Sequence, residues 1–138
     1  QGTFSPEETR LLEKLKLEAA EAYLYNTWFT GDFTERALRV LGESLQRKNL
    51  DLWLTSYDFS KVHAKTVGVV MAGNVPAVGF HDFLSVLMSG HRLQAKLSSD
   101  DKHLLPAMAN LLIAFEPAFA NFIEFTEGRL HDFDAIIA

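Results

Sequence analysis

The chain contains no cysteine. Its 138 residues therefore hold no thiol nucleophile, no disulfide and no thiolate ligand for a metal. The chain also lacks an apolar run of about 18 residues, the length that a membrane-spanning helix requires. Its basic residues are scattered and its formal net charge is −5, so it lacks the dense basic patch of a nucleic-acid-binding surface. The absence of cysteine favours a cytoplasmic location.

The remaining composition is that of a globular protein. Hydrophobic residues make up 48% of the chain and charged residues 22%, which are ordinary values for one folded domain. The pattern of apolar residues changes near Thr66, from helical spacing to β-branched runs. We therefore expect a helical N-terminal segment at 1–65 and an α/β segment at 66–138.

The first helix has a clear start signal. Ser5 can cap it, Pro6 suits its first position, and Glu8 stands where a capping-box carboxylate belongs. Apolar residues then recur at helical spacing to about Tyr25. We expect one amphipathic helix over this stretch.

Two further helices are expected before the α/β segment. Asp32 with Glu35 forms a second capping pair, and a shorter apolar helix is expected over 50–57. Between the first and second helices lies an aromatic cluster. We expect it to plug a helix–helix contact rather than form a ligand cage: Trp28, Phe29 and Phe33.

The second half alternates strand and helix signals. The run 67–71 is apolar and β-branched, as a strand buried on both faces requires. Helical spacing follows from Val78 and stops at Gly90, and a second strand is expected over 92–97. The acidic residues near Asp100 and Asp101 are expected to cap the next helix.

One or two further helices, interrupted near Pro117, are expected over 114–128, and a third strand over 133–138. Strand, helix, strand, helix, strand after a helical prefix is the start of a doubly wound parallel sheet. We therefore predict an α/β fold with a Rossmann-like, incomplete sheet.

Polar residues stand where the first two strands end. Asn74 is either a turn asparagine that bonds its own backbone or an amide donor aimed at a developing oxyanion. Lys96 is either an exposed lysine at the strand end or a contact to the adenosine ribose of a dinucleotide, to which Ser98 or Ser99 could add hydroxyl contacts.

Two common ligand motifs are missing. Gly68, Gly73 and Gly79 do not fit the G-x-G-x-x-G dinucleotide fingerprint. The histidines show no metal-ligand spacing, so no metal site is predicted. These two motifs therefore give no basis for predicting a dinucleotide or metal site.

Several stretches of the second half carry a family resemblance. The segments 71–76 (MAGNVP), 79–87 (GFHDFLSVL), 96–99 (KLSS) and 102–106 (KHLLP) resemble the acyl-CoA reductase (LuxC-type) family. That family belongs to the aldehyde dehydrogenase superfamily and includes the fatty-acid reductase component of bacterial bioluminescence. The resemblance is specific over 66–106 and looser over the helical N-terminal part.

The resemblance implies roles for the strand-end residues. Asn74 aligns with the superfamily's oxyanion-hole asparagine, and Lys96 with the lysine that contacts the adenosine ribose. Leu97 replaces a proline, and Ser99 stands where an acidic ribose ligand usually lies. NADPH-using members similarly lack that carboxylate, so we expect NADPH rather than NADH. Ser98 and Ser99 are expected as further cofactor contacts.

The resemblance also implies an aldehyde dehydrogenase-type fold and a reaction. The substrate would be a fatty acyl-CoA or acyl-protein thioester, reduced to an aldehyde through a cysteine acyl-enzyme. Because the chain has no cysteine, we expect it to be the N-terminal part of a longer cytoplasmic enzyme, with the catalytic domain absent and no activity by itself. Assembly as a homo-oligomer is compatible with this hypothesis.

The alternative hypothesis is a stand-alone, non-catalytic binding or interaction module derived from the half-fold. Such a chain would leave a sheet edge unpaired after its third strand. We would then expect it to dimerise or to exchange strands.

Overall fold

The computed structural model describes residues 3–138, which contain five α-helices and four β-strands. The helices are α1 (Pro6–Glu21), α2 (Gly31–Ser44), α3 (Arg47–Leu54), α4 (Phe80–Met88) and α5 (Leu104–Phe115). The strands are β1 (Thr66–Val70), β2 (Arg92–Lys96), β3 (Ile123–Thr126) and β4 (Ala135–Ile137). Within these residues, no helix is both long and apolar enough to cross a membrane.

The four strands form one parallel sheet in the order β3-β2-β1-β4. β1 pairs with β2 along its whole length, and β4 pairs on the other side of β1. The first four strands of a Rossmann sheet have this order. The chain is therefore an α/β protein with a Rossmann-like partial fold, as the sequence predicted.

The prediction of helix over 114–128 is wrong in its second half. A 3₁₀ turn covers Pro117–Asn121, and β3 follows at the edge of the sheet, so the strand expected as third is the fourth. Phe119, Phe122 and Ile123 have helical spacing, and a short apolar run of this kind fits both periods. Pairing with β2 decides the outcome.

The helix starts were predicted with mixed success. The capping box of α1 is confirmed: the Glu8 N–H donates to Ser5 Oγ at 3.2 Å, and the Glu8 carboxylate accepts the Ser5 N–H at 2.6 Å. The expected Asp32 cap is wrong, because Thr30 precedes α2 and Asp32 lies inside its first turn.

α3 begins three residues earlier than expected. Gly90, with φ +81°, ends α4 as expected.

One face of the sheet carries the main core. Because side chains alternate along a strand, Val67 and Val69 of β1 share a face with Leu93 and Ala95 of β2. These four residues are buried together with α4 residues such as Phe83, and α5 completes the same cluster. Both helices that pack on the described sheet therefore lie on one side of it.

An extended segment, 127–134, crosses the opposite face. Its His131 N–H donates to the Gln94 side-chain oxygen at 2.8 Å. A Cβ added at Gly68 would lie 3.2 Å from Leu130 of the same segment. The segment therefore covers, within residues 3–138, a face where a doubly wound sheet would carry helices.

The N-terminal helix α1 packs on α5, and α2 packs in turn on α1. Ala22, Phe29 and Leu104 are buried together at this contact. Phe29 is thus the helix–helix plug that the sequence predicted. The same prediction is wrong for Trp28 and Phe33, whose exposed fractions are 80% and 43%.

The buried hydroxyl of Thr34 in α2 allows a test of the packing of the N-terminal helices. Its side chain is fully buried, and Oγ1 has no hydrogen-bond partner among residues 3–138. An unsatisfied buried polar group costs about 1–3 kcal/mol. Thr34→Val keeps the shape and removes the hydroxyl, so it should raise the free energy of unfolding by about 1 kcal/mol, measured by urea denaturation.

Thr9→Val is the matched control, because the exposed Thr9 hydroxyl donates to the Ser5 carbonyl at 2.9 Å. This control should not gain stability. An unchanged or lower free energy of unfolding for Thr34→Val would show that its hydroxyl has a partner in solution.

Candidate functional site

The carboxyl ends of β1 and β2 meet at one edge of the sheet. Val70 and Lys96, the last residues of the two strands, are direct partners. The next N–H, that of Met71, donates to the Lys96 carbonyl at 2.9 Å. The turn that carries Asn74 therefore starts beside Lys96, and the sheet brings both candidate segments together.

This edge includes the topological switch point of the sheet. The chain runs outward from β1 to β2 to β3 and then returns to the other side of β1 as β4. Open α/β sheets bind ligands in the crevice beyond the carboxyl ends of their strands at such a point. Asn74 follows β1 and therefore lies at this crevice.

Asn74 is exposed and lines an open cleft of about 540 Å³. Within residues 3–138 its side chain makes no hydrogen bond, so it does not bond its own turn. The amide is available to a molecule in the cleft. The other lining residues come from the segment after α1 and from the loop after β2: Tyr25, Asn26, Thr27, Trp28 and Asp100.

Asn26 joins the two walls of this cleft. Its side-chain nitrogen donates to the Asp100 carbonyl at 3.4 Å, and its side-chain oxygen accepts the Trp28 N–H at 3.0 Å. Sequence reasoning did not assign these residues to the site. The signal was the break in helical spacing after Tyr25, but a break alone does not indicate where the segment packs.

Lys96 is exposed at the middle of the edge, between β1 and β3. Among residues 3–138, no carboxylate forms an ion pair with it. It does not line the Asn74 cleft. The structure thus places an unpaired cation beside the cleft rather than within it.

Ser98 and Ser99 differ in their surroundings. Ser98 is half-buried, and its Oγ accepts the Asp100 N–H at 3.2 Å. Ser99 is exposed, and its Oγ lies 3.4 Å from the Asp100 carboxylate, to which it donates. Ser98 is therefore part of the turn, whereas the Ser99 hydroxyl is accessible. Asp100 also places a carboxylate one residue after Ser99. The expectation of NADPH depended on the absence of a carboxylate at Ser99.

The helix expected to start near Asp101 starts later in the chain. Ser98 and Asp101 form an antiparallel bridge, and α5 begins only at Leu104. The Asp101 carboxylate is buried and accepts the Ala77 N–H at 2.8 Å. Burial raises the pKa of Asp101, against hydrogen bonds from the Ala77 and Leu104 backbones and the charge of His103, which lower it.

Comparisons of the chain with protein-family models, with curated proteins and with solved structures found no match. The resemblance of 66–106 to LuxC-type reductases therefore stays a prediction.

Substitution of Gly73 tests how closely the loops after β1 and β2 pack. A Cβ at Gly73 would lie 2.5 Å from Ser98 Cβ, so Gly73→Ala must push the loops after β1 and β2 apart. Overpacking of this kind costs about 1–3 kcal/mol. The free energy of unfolding, measured in urea, should fall by about that amount.

Gly42→Ala is the matched control. No atom lies within 4 Å of a Cβ built at Gly42, which is inside α2. Alanine is the better helix residue, so this variant should gain about 0.5–1 kcal/mol. Equal stability of Gly73→Ala and the parent chain would contradict the close approach of the two loops.

Proposed function

We propose that this chain forms the oxyanion site and part of the cofactor site of an NADPH-dependent fatty acyl-CoA reductase of the LuxC-type family, with an aldehyde dehydrogenase-type fold. One observation carries the proposal. The exposed Asn74 amide, which has no hydrogen bond within residues 3–138, stands at the switch point of a Rossmann-like sheet.

Reduction of an acyl thioester needs a donor for the carbonyl oxygen, because negative charge develops there when a nucleophile adds. In this proposal the Asn74 amide N–H donates to that oxygen. The nucleophile is a cysteine thiolate outside these 138 residues. Its sulfur bonds to the acyl carbon as the bond to CoA breaks, and CoA leaves as its thiolate.

The acyl-enzyme is then reduced to the aldehyde, and the cysteine leaves as thiolate. NADPH, when bound, supplies the hydride for this step. Asn74 serves both steps, because the same carbonyl oxygen becomes negative again when the hydride adds.

Lys96 fits the ribose end of that cofactor. Its ammonium is exposed and unpaired within residues 3–138, so it can face the 2′-phosphate of NADPH without losing a protein partner. The exposed Ser99 hydroxyl can add a hydrogen bond. The Asp100 carboxylate lies near Ser99 and would repel the 2′-phosphate of NADPH. The preference between NADPH and NADH therefore reports whether Lys96 or Asp100 has the larger effect on the cofactor.

Asn74→Ala tests the oxyanion role. In the protein expressed from its complete reading frame, loss of one such donor should lower kcat by about 10²–10³. The KM for the acyl-CoA should change less, because the interaction is strongest in the transition state. NADPH oxidation with a long-chain acyl-CoA measures both constants.

Asn110→Ala, an exposed asparagine on α5, is the control and should leave kcat unchanged. If Asn74→Ala had the same kcat as the parent enzyme, the proposed oxyanion role of Asn74 would be wrong.

Lys96→Met tests the cofactor role. A hydrogen bond to a charged group contributes about 1.5–3 kcal/mol, so the Kd for NADPH should rise by about 10-fold or more. The Kd for NADH should rise less, since NADH lacks the 2′-phosphate. Lys48→Met on the exposed surface of α3 serves as the control. An NADPH Kd that does not move in Lys96→Met would refute the assignment.

A further inference from the structure

The turn that carries Asn74 contains a strained residue. Ala77 has φ +56°, in the left-handed region that residues other than glycine rarely adopt. Such a conformation costs about 1–2 kcal/mol and persists only where the surroundings impose it. Something packed against this turn must therefore hold Ala77 in place.

Two contacts hold Ala77. Its methyl group is buried with Phe29 and Leu104, where the N-terminal helices meet α5. Its N–H donates to the buried Asp101 carboxylate at 2.8 Å. Because Asp101 belongs to the loop after β2, one carboxylate joins the loops that follow β1 and β2.

This carboxylate is held at a cost to stability. Burial raises its pKa above the ordinary value of 3.8, so the folded chain binds a proton that the unfolded chain has already released. The contribution of Asp101 to stability therefore falls as pH rises from 3.8 to its higher folded-state pKa. Buried carboxylates of this kind cluster at functional sites.

Other charged groups surround Asp101. His103 lowers its pKa from the start of α5, and Asp100 and Lys102 flank it in the chain. Glu18 of α1 lies 3.6 Å from the His103 ring. A test of Asp101 must therefore show that the observed change depends on its own carboxylate and not on these neighbours.

We propose that Asp101 is a positioning residue, which presents Asn74 to the cleft by holding the Ala77 N–H. Within residues 3–138 no hydrogen bond fixes the Asn74 side chain, so the backbone of the turn sets its position. Asp101 ties that backbone to the end of β2. The effect on turnover rests on the proposed function, whereas the effect on the backbone does not.

The backbone effect is measured by NMR on this chain. In the parent chain, the Ala77 amide proton shift should titrate with a midpoint above 3.8 as Asp101 ionises. Asp101→Asn should abolish this titration, and Asp101→Ala should make the Ala77 amide exchange about 10-fold faster or more. The Met71 amide, held by the Lys96 carbonyl in the sheet, should stay protected.

Asp100→Asn is the matched control, because Asp100 is an exposed neighbour that has no hydrogen bond to Ala77 within residues 3–138; it should leave the Ala77 titration in place. If Asp101→Ala fails to fold, the titration of the parent chain decides alone. An Ala77 amide shift that does not titrate, or a titration that persists in Asp101→Asn, overturns the proposal.

The effect on turnover is measured in the protein from its complete reading frame. Asp101→Ala should lower kcat by about 10-fold to 100-fold through misplacement of Asn74, with little change in the Kd for NADPH. Asp101→Asn, which keeps an acceptor for Ala77, should recover part of this loss. Asn74→Ala combined with Asp101→Ala should be no slower than Asn74→Ala alone.

The outcomes separate the two hypotheses. If Asn74→Ala lowers kcat but Asp101→Ala does not, the positioning role fails and the proposed function survives. If neither variant changes kcat, the role of Asn74 fails, while the NMR result still decides whether Asp101 holds the turn. A double variant slower than Asn74→Ala alone would show that Asp101 acts on turnover by another route.

Discussion

The parallel pairing of β1 with β2 is the constraint on which the candidate site depends. It ends with Val70 opposite Lys96 and continues into the hydrogen bond from the Met71 N–H to the Lys96 carbonyl. Because both strands end at the same level, the loops that follow them leave the sheet side by side. Gly73 lets these loops approach so closely that Ser98 occupies the space of its missing side chain.

Close approach also concentrates energetic costs at this edge. Ala77 adopts a left-handed conformation, and Asp101 is buried with a raised pKa. One hydrogen bond joins the two, since the carboxylate accepts the N–H that the turn presents. Ala77 is also buried with Phe29 and Leu104, beside the contact of α1 with α5.

Much of the fold could be predicted from the sequence. The continuous apolar run of β1, the capping box of Ser5 and the stop at Gly90 are local signals, and each is confirmed. β3 was missed because its short apolar run fits both helical and extended spacing. Pairing with β2, a contact between residues distant in sequence, makes it a strand.

The candidate site divides in the same way. The sequence alone determined that Asn74 and Lys96 stand at strand ends, because strand length and turn chemistry are properties of neighbouring residues. Only the tertiary structure decided that Asn26 and Trp28 wall the Asn74 cleft and that Asp101 bonds Ala77. These contacts join residues of different loops, and their geometry comes from the order of strands in the sheet, which no local pattern encodes.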